Sequence, residues 1–181
     1  MAEIVEAKVG ESKEVGVQLG FKGAPDASII GLALHRLIAA EIINPSPKDD
    51  LKITERLLKS YGVAENIDSK ETKEYACHFL NYLMSSFGPD RILAEYPVEQ
   101  VLKSGQLVKG WVDMLLETEA GWIVIDHKFT DKQKANLEAE VLKYSGQLRA
   151  YKRAVEAGSS KKVSSCWIHS PAAGRLYELK F

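Results

Sequence analysis

The segment Gln106–Thr130 reads QLVKGWVDMLLETEAGWIVIDHKFT. Two runs rich in Val, Ile, Leu and Trp flank Glu119-Ala120-Gly121, the composition and punctuation of a β-hairpin. One face then carries Val112, Met114, Leu116, Ile123 and Ile125. The other carries Trp111, Leu115 and Val124 around Asp113, Asp126 and Lys128. Strands that are apolar on both faces belong in the interior of a sheet. A two-residue loop at Glu119-Ala120 sets Asp113 opposite Asp126 and Trp111 opposite Lys128. A loop shifted by one residue on each side sets Asp113 opposite Lys128. Both registers keep the three charges on one face, because side chains alternate with period two; a one-residue slip separates them.

Two carboxylates held close on interior strands repel each other and lose hydration. A divalent cation relieves both penalties, and hard ions such as Mg2+ take oxygen ligands. The plainer reading is a buried Asp–Lys ion pair with the second aspartate near a sheet edge. Spacing alone leaves both open.

Outward from the hairpin the periods change. Arg91–Leu102 reads as a strand before it. A long helix is expected from about Lys134 to Ala157, with Leu137, Val141, Tyr144, Leu148, Tyr151 and Val155 on one stripe and Gly158 as its stop. Val163–His169 and Leu176–Phe181 read as closing strands. Upstream, Asp26 or Ser28 can cap a helix ending at Asn44-Pro45. Further helices are expected over about Leu51–Tyr61 and Lys70–Ser86, and Glu3–Leu19 reads as a weak hairpin or irregular lead-in. Helices, three strands, a helix and two strands make an α/β fold with a mixed sheet. The expected organisation is one domain over 1–181, with a helical lobe over 20–90 and an α/β core over 91–181.

The chain has 181 residues, 45% apolar and 27% charged, enough to bury a core without disulfides. The formal charge of −1 hides an asymmetry. Residues 128–162 hold nine Lys/Arg against four acids, a footprint suited to a polyanion. Lys132, Lys134, Arg149, Lys152 and Arg153 are the candidate phosphate contacts, although solvated helix charges produce similar runs. Cys77 and Cys166 are too few for an iron–sulfur cluster. No apolar signal core or membrane-length run occurs, so a cytoplasmic location is expected. No G-x-x-x-x-G-K-[ST] loop is present, so the chain carries no helicase motor of its own.

The pattern GWVDMLL…GWIVIDHKF resembles the D…(D/E)-x-K core of the PD-(D/E)XK nuclease superfamily. More narrowly, it is similar to the RecB-type nuclease domain at the C-terminus of AddA/UvrD-like helicase–nucleases. His35 in GLALHRLIAA matches that branch's early histidine, and Gln147 and Tyr151 in YSGQLRAYKRA match its Q-x-x-x-Y motif. The resemblance runs from about Leu19 to the C-terminus. It implies a restriction-endonuclease-like fold and hydrolysis of DNA phosphodiesters with Mg2+ or Mn2+. It also implies exonuclease work on single-stranded ends delivered by a helicase. On this reading Asp113 and Asp126 hold metal, with His35 and the backbone carbonyl of His127 as further ligands. Lys128 orients or deprotonates the attacking water, and Gln147 and Tyr151 position the substrate strand. Glu95 is a further candidate pointing at the metals, against a plain surface glutamate.

The sequence departs from the pattern in places. Val112 stands where a proline often precedes Asp113, and His127 where an aromatic is more usual. The four-cysteine cluster of some relatives is absent. Trp111 and Trp122 flank the site as candidate base-stacking surfaces, although strand tryptophans are more often packing. His78 and His169 read as structural. The alternative function is a catalytically silent DNA-binding or scaffolding module; loss of Asp113, Asp126 or Lys128 would have favoured it, and all three are present.

Overall fold

The computed structural model describes residues 7–101, 104–105, 107–129 and 137–181. Lys132, Lys134, the first turn of the expected long helix, the strand ends at Leu102, Gln106 and Thr130, and the chain before residue 7 lie outside the described residues. The elements run β1 (Lys8–Glu14), α1 (Ala27–Ile43), α2 (Lys52–Ser60), α3 (Ser69–Phe87), β2 (Arg91–Val101), β3 (Leu107–Thr118), β4 (Gly121–His127), α4 (Leu137–Leu142), α5 (Ser145–Gly158), β5 (Val163–Ser170) and β6 (Arg175–Lys180). The strands form one sheet in the order β1-β6-β5-β4-β3-β2. Every neighbouring pair is antiparallel except β4 and β5. A parallel pair needs a crossover, which α4 and α5 provide.

Local chemistry accounts for the helix ends. Asp26, rather than Ser28, caps α1 and accepts the Ser28 N–H at 2.8 Å. Asp68 caps α3 by accepting the N–H groups of Lys70 and Glu71, each at 2.9 Å. Gly88 closes α3 in the left-handed conformation that costs glycine least. Ile30, Leu34, Leu37 and Ile38 recur at helical spacing on α1, and all are buried.

The core has two halves, one on each face of the sheet. Ile30, Leu34, Phe79 and Leu83 from α1 and α3 meet Met114, Leu116, Ile123 and Ile125 on one side. On the other, Val141, Leu148 and Val155 from α4 and α5 meet Leu115, Val124 and Ile168. Each fully buried side chain of this size contributes about 1.5–3 kcal/mol. That total is large enough to offset the cost of charged groups held in the same strands. Among the described residues, one buried charge pair lies away from the hairpin. Lys73 Nζ sits 2.6 Å from Glu41, both almost wholly buried, with Ser46 as a shared partner.

Three expectations need correction. Among the described residues the N-terminal lead-in forms no hairpin: Lys8–Glu14 is an edge strand on β6, bulged between Val9 and Ser12. The long helix is broken into α4 and α5. The N–H groups of Lys143 and Tyr144 bond three residues back, to Glu140 and Val141, so the helix tightens and stops there. Ser145-Gly146, poor helix formers, let the chain restart in a new direction. Val112 joins Leu115 and Val124 in the α5-side core rather than Met114 and Leu116. The alternation of faces therefore changes hand near Asp113. Opposite it on β2, Glu95 has φ +52°, a left-handed backbone rare for a residue with a side chain.

Candidate active site

The hairpin adopts the register with Thr118 opposite Gly121 and Met114 opposite Ile125. Backbone pairing stops there. At the next position the Asp113 side chain takes over, its Oδ2 accepting the His127 N–H at 2.8 Å. The split between β3 and β4 thus opens where the two aspartates lie. Asp126 is fully buried. Its Oδ2 lies 2.8 Å from Lys128 Nζ, and its Oδ1 accepts a hydrogen bond from Gln147 Nε2 at 3.2 Å. The same amide donates to the Tyr151 hydroxyl at 2.8 Å. Their i, i+4 spacing on α5 sets the two side chains together against β4.

From the other side, α1 brings His35. Its Nε2 lies 2.9 Å from Glu95 Oε1 and 3.6 Å from Asp113 Oδ1. Arg36 reaches the second Glu95 oxygen at 3.2 Å. Together these groups line or adjoin a cleft of about 300 Å3 bounded by Ala27, Leu32, His35, Asp113, Lys128 and Tyr144. Gly31 admits Phe129, whose Cβ would lie 2.9 Å from an added Cβ. A larger cleft of about 460 Å3, by Val17, Lys48 and Glu71, contains none of these donors.

Electrostatics sets this cluster apart. Burial pushes the Asp113 carboxyl up to about 6, against the downward pull of the His127 N–H and Lys128. Burial, then the negative charge of Asp113, pushes Asp126 up to about 6, partly offset by Lys128. Burial lowers the His35 value and so favours the neutral ring, opposed by the negative charge of Glu95. For Lys128, burial pulls the ammonium down, but the two aspartates outweigh it and hold it above its ordinary value.

Residues 13–180 match the model of the PD-(D/E)XK nuclease superfamily. The chain belongs to that superfamily. Its six-stranded mixed sheet between helical layers is the restriction-endonuclease-like fold that membership entails. The chain is also similar to bacterial proteins named as one subunit of an ATP-dependent helicase/nuclease. It is 27% identical to that of Listeria innocua over 79% of this chain and 13% of the relative. With a Listeria monocytogenes relative the figures are 27%, 82% and 14%. With that of Carboxydothermus hydrogenoformans they are 34%, 43% and 8%. The chain therefore spans about a seventh or less of the relatives it matches.

The residues of this PD-(D/E)XK chain suit a divalent cation in their chemistry: one buried and one half-buried carboxylate with raised pKa values, an adjacent imidazole whose burial favours the neutral form, and an opening to solvent. Among the described residues, no three carboxylate, imidazole or thiolate groups already converge as a cage. A cation held there would share Asp126 with Lys128 and compete with Glu95 for His35.

Some functional features had no signal in the sequence. The strained backbone of Glu95 and its clamp by Arg36 depend on the β2–β3 pairing. His169, read as structural, is buried but wired to the site through His127, their Nδ1 atoms 2.7 Å apart. Of the basic run, Lys152 is committed to Glu156 and the Val163 carbonyl, and Lys161 to Glu117. Trp122 is core, whereas Trp111 is 60% exposed.

Proposed function

We propose that this chain is a divalent-metal-dependent deoxyribonuclease domain that hydrolyses DNA phosphodiesters, acting as an exonuclease alongside a helicase in DNA repair or recombination. The observation that carries the reading is the pair of aspartates with raised pKa values, Asp126 buried and Asp113 half-buried, beside Lys128 at the mouth of an open cleft. Asp113, Asp126, His35 and the His127 carbonyl would hold Mg2+ or Mn2+, with Glu95 adjacent. A bound ion supplies Lewis-acid charge that strengthens water as an acid and neutralises the phosphate under attack.

The chain's own groups do the rest. Asp113 and Asp126 anchor the positive charge in a low-dielectric split where it acts strongly. The Lys128 ammonium orients the attacking water or stabilises the charge developing on phosphate oxygens. Gln147, fixed by Tyr151, sets the orientation of Asp126 and lies where a DNA strand would pass. Helices over 20–90 deliver His35, and the α/β core over 91–181 delivers the other groups. The helicase partnership rests on the names of the relatives and on the lack of a nucleotide-binding loop in this sequence. A cytoplasmic setting follows from it, and no helix among the described residues is long and apolar enough to cross a membrane.

Cleavage of end-labelled single- and double-stranded DNA with Mg2+ or Mn2+ tests this. Asp126→Ala and Lys128→Ala should each lower the rate by about 100-fold or more. Absence of metal-dependent cleavage by the wild type, or full activity in both variants, would sink the proposal.

A further inference from the structure

Behind the cleft runs a buried chain of hydrogen bonds that the proposed chemistry does not use. Tyr75 on α3 places its hydroxyl 2.7 Å from Nε2 of His169 at the end of β5. The Nδ1 of His169 lies 2.7 Å from Nδ1 of His127 at the end of β4. Phe79 stacks flat on the His169 imidazole, with ring centroids 3.8 Å apart and planes 4° off parallel. His127 Nε2, the far end of the chain, is buried with no hydrogen-bond partner among the described residues. The main chain is tied in as well. The Lys128 N–H donates to the His169 carbonyl at 2.8 Å, and the His127 N–H donates to Asp113.

The protons in this chain can be ordered. A buried phenol must place its O–H on an acceptor, since leaving it unpaired costs about 1–3 kcal/mol. Among the described residues, the Tyr75 hydroxyl has His169 Nε2 as its hydrogen-bond partner. Donation by Tyr75 makes Nε2 of His169 the acceptor, so His169 carries its proton on Nδ1. That N–H donates to Nδ1 of His127, whose own proton then sits on Nε2. The chain's one donor without a partner among the described residues thus falls on the half-buried residue that lines the cleft rather than on the buried Tyr75.

We propose that Tyr75 and His169 are positioning residues that lock His127 as its Nε2–H tautomer and so fix the peptide joining Asp126 to Lys128. This rests on the metal-dependent reading given above and adds to it. An imidazole protonated on Nε2, with Nδ1 already accepting, has no lone pair for a cation. Residue 127 can therefore serve a metal through its carbonyl and not its ring. The orienting partners lie on α3 and β5, in neither the D…D-x-K hairpin nor the Q-x-x-x-Y helix.

The test is 15N NMR of histidine-labelled protein together with Mn2+ titration calorimetry, on wild type, Tyr75→Phe and His169→Gln. Wild type should show His127 protonated at Nε2 and His169 at Nδ1. Tyr75→Phe should scramble both assignments, and each variant should weaken Mn2+ binding about tenfold or more, as loss of a ligand-orienting partner does. His169→Gln keeps an amide to bond His127, so it reports if Tyr75→Phe does not fold. His127 protonated at Nδ1 in the wild type would overturn the proposal. So would Mn2+ affinity within about twofold of wild type in both folded variants, since orienting partners normally matter more than that. Variant-sensitive Mn2+ binding by a protein that cuts no DNA would support the positioning role and overturn the nuclease reading alone.

Discussion

Asp113 accepts the backbone N–H of His127 at 2.8 Å, standing in for a strand–strand hydrogen bond where β3 and β4 separate. One carboxylate thus has two jobs, closing the sheet and facing the cleft, and substitution can separate them. Asp113→Asn keeps an acceptor for the N–H and loses the charge. It should fold with a Tm within about 4 °C of wild type and bind Mn2+ far more weakly. Asp113→Leu also strands the N–H, costing about 1–3 kcal/mol more. Calorimetry on both variants separates the roles, and equal Tm values would refute the division.

The same substitution has a signature in pH. The folded-state value near 6 for Asp113 lies above the ordinary carboxylate range. A raised acid binds protons more tightly when folded, so its destabilising charge is felt above pH 6 and fades as pH falls towards 4. Without metal, Asp113→Asn should therefore gain most in Tm over wild type at pH 7.5, and the gain should shrink by pH 5. A pH-independent difference in thermal melts would contradict this.

His169 works in the opposite sense. Burial lowers its pKa to about 3, so the folded protein holds it neutral while the unfolded chain protonates near 6.5. Its contribution is full above that upper value and is lost as pH falls from about 6.5 towards 3. His169→Gln should flatten the acid limb of the stability profile in urea titrations, even if its stability at pH 7.5 is lower.

Glu95 holds a left-handed backbone that costs a non-glycine residue about 1–2 kcal/mol. Glu95→Gly removes the carboxylate and the strain together, whereas Glu95→Ala removes only the carboxylate. The glycine variant should be the more stable by about 1 kcal/mol in denaturant melts, with His35 equally exposed in both. The reverse order would mean the strain is not real.

Gly110 touches the ring of Tyr151 and leaves 3.0 Å for an added Cβ. Gly110→Ala should push that ring by a few tenths of an ångström and loosen Gln147 from Asp126. Cleavage should fall less than in Gln147→Ala, which we expect to lose about tenfold or more, since small displacements of positioning groups are costly. Steady-state kinetics on the two variants ranks them.

Much of this was legible in advance because it depended on period and punctuation. The adopted hairpin register is one of the two that Glu119-Ala120 and the alternation around it allow, and α1 starts at the Asp26 cap. His35, Gln147 and Tyr151 came from a family pattern, and the fold brings all three to the aspartates. What stayed hidden was mostly non-local. β1 forms because β6 offers an edge, and no feature of its own residues demands a strand. The break at Tyr144 is masked because the apolar stripe runs through it unchanged and outweighs the weak local signal of Ser145-Gly146. Tyr75 and His169 became part of the site only through partners far along the chain, and of Glu95, already a candidate, only the left-handed backbone stayed hidden.

The kink at Glu95 also bears on how the protein behaves in a crowded solution. β2 and β1 are the two edges of the sheet, and an unpaired edge invites a strand from another molecule. On β2 the left-handed residue bends the edge out of line, and Pro97, two positions on, has no N–H to offer. On β1 the bulge between Val9 and Ser12 breaks the ladder in the same way. The distortion that brings a carboxylate to the cleft therefore also guards one rim of the sheet against aggregation.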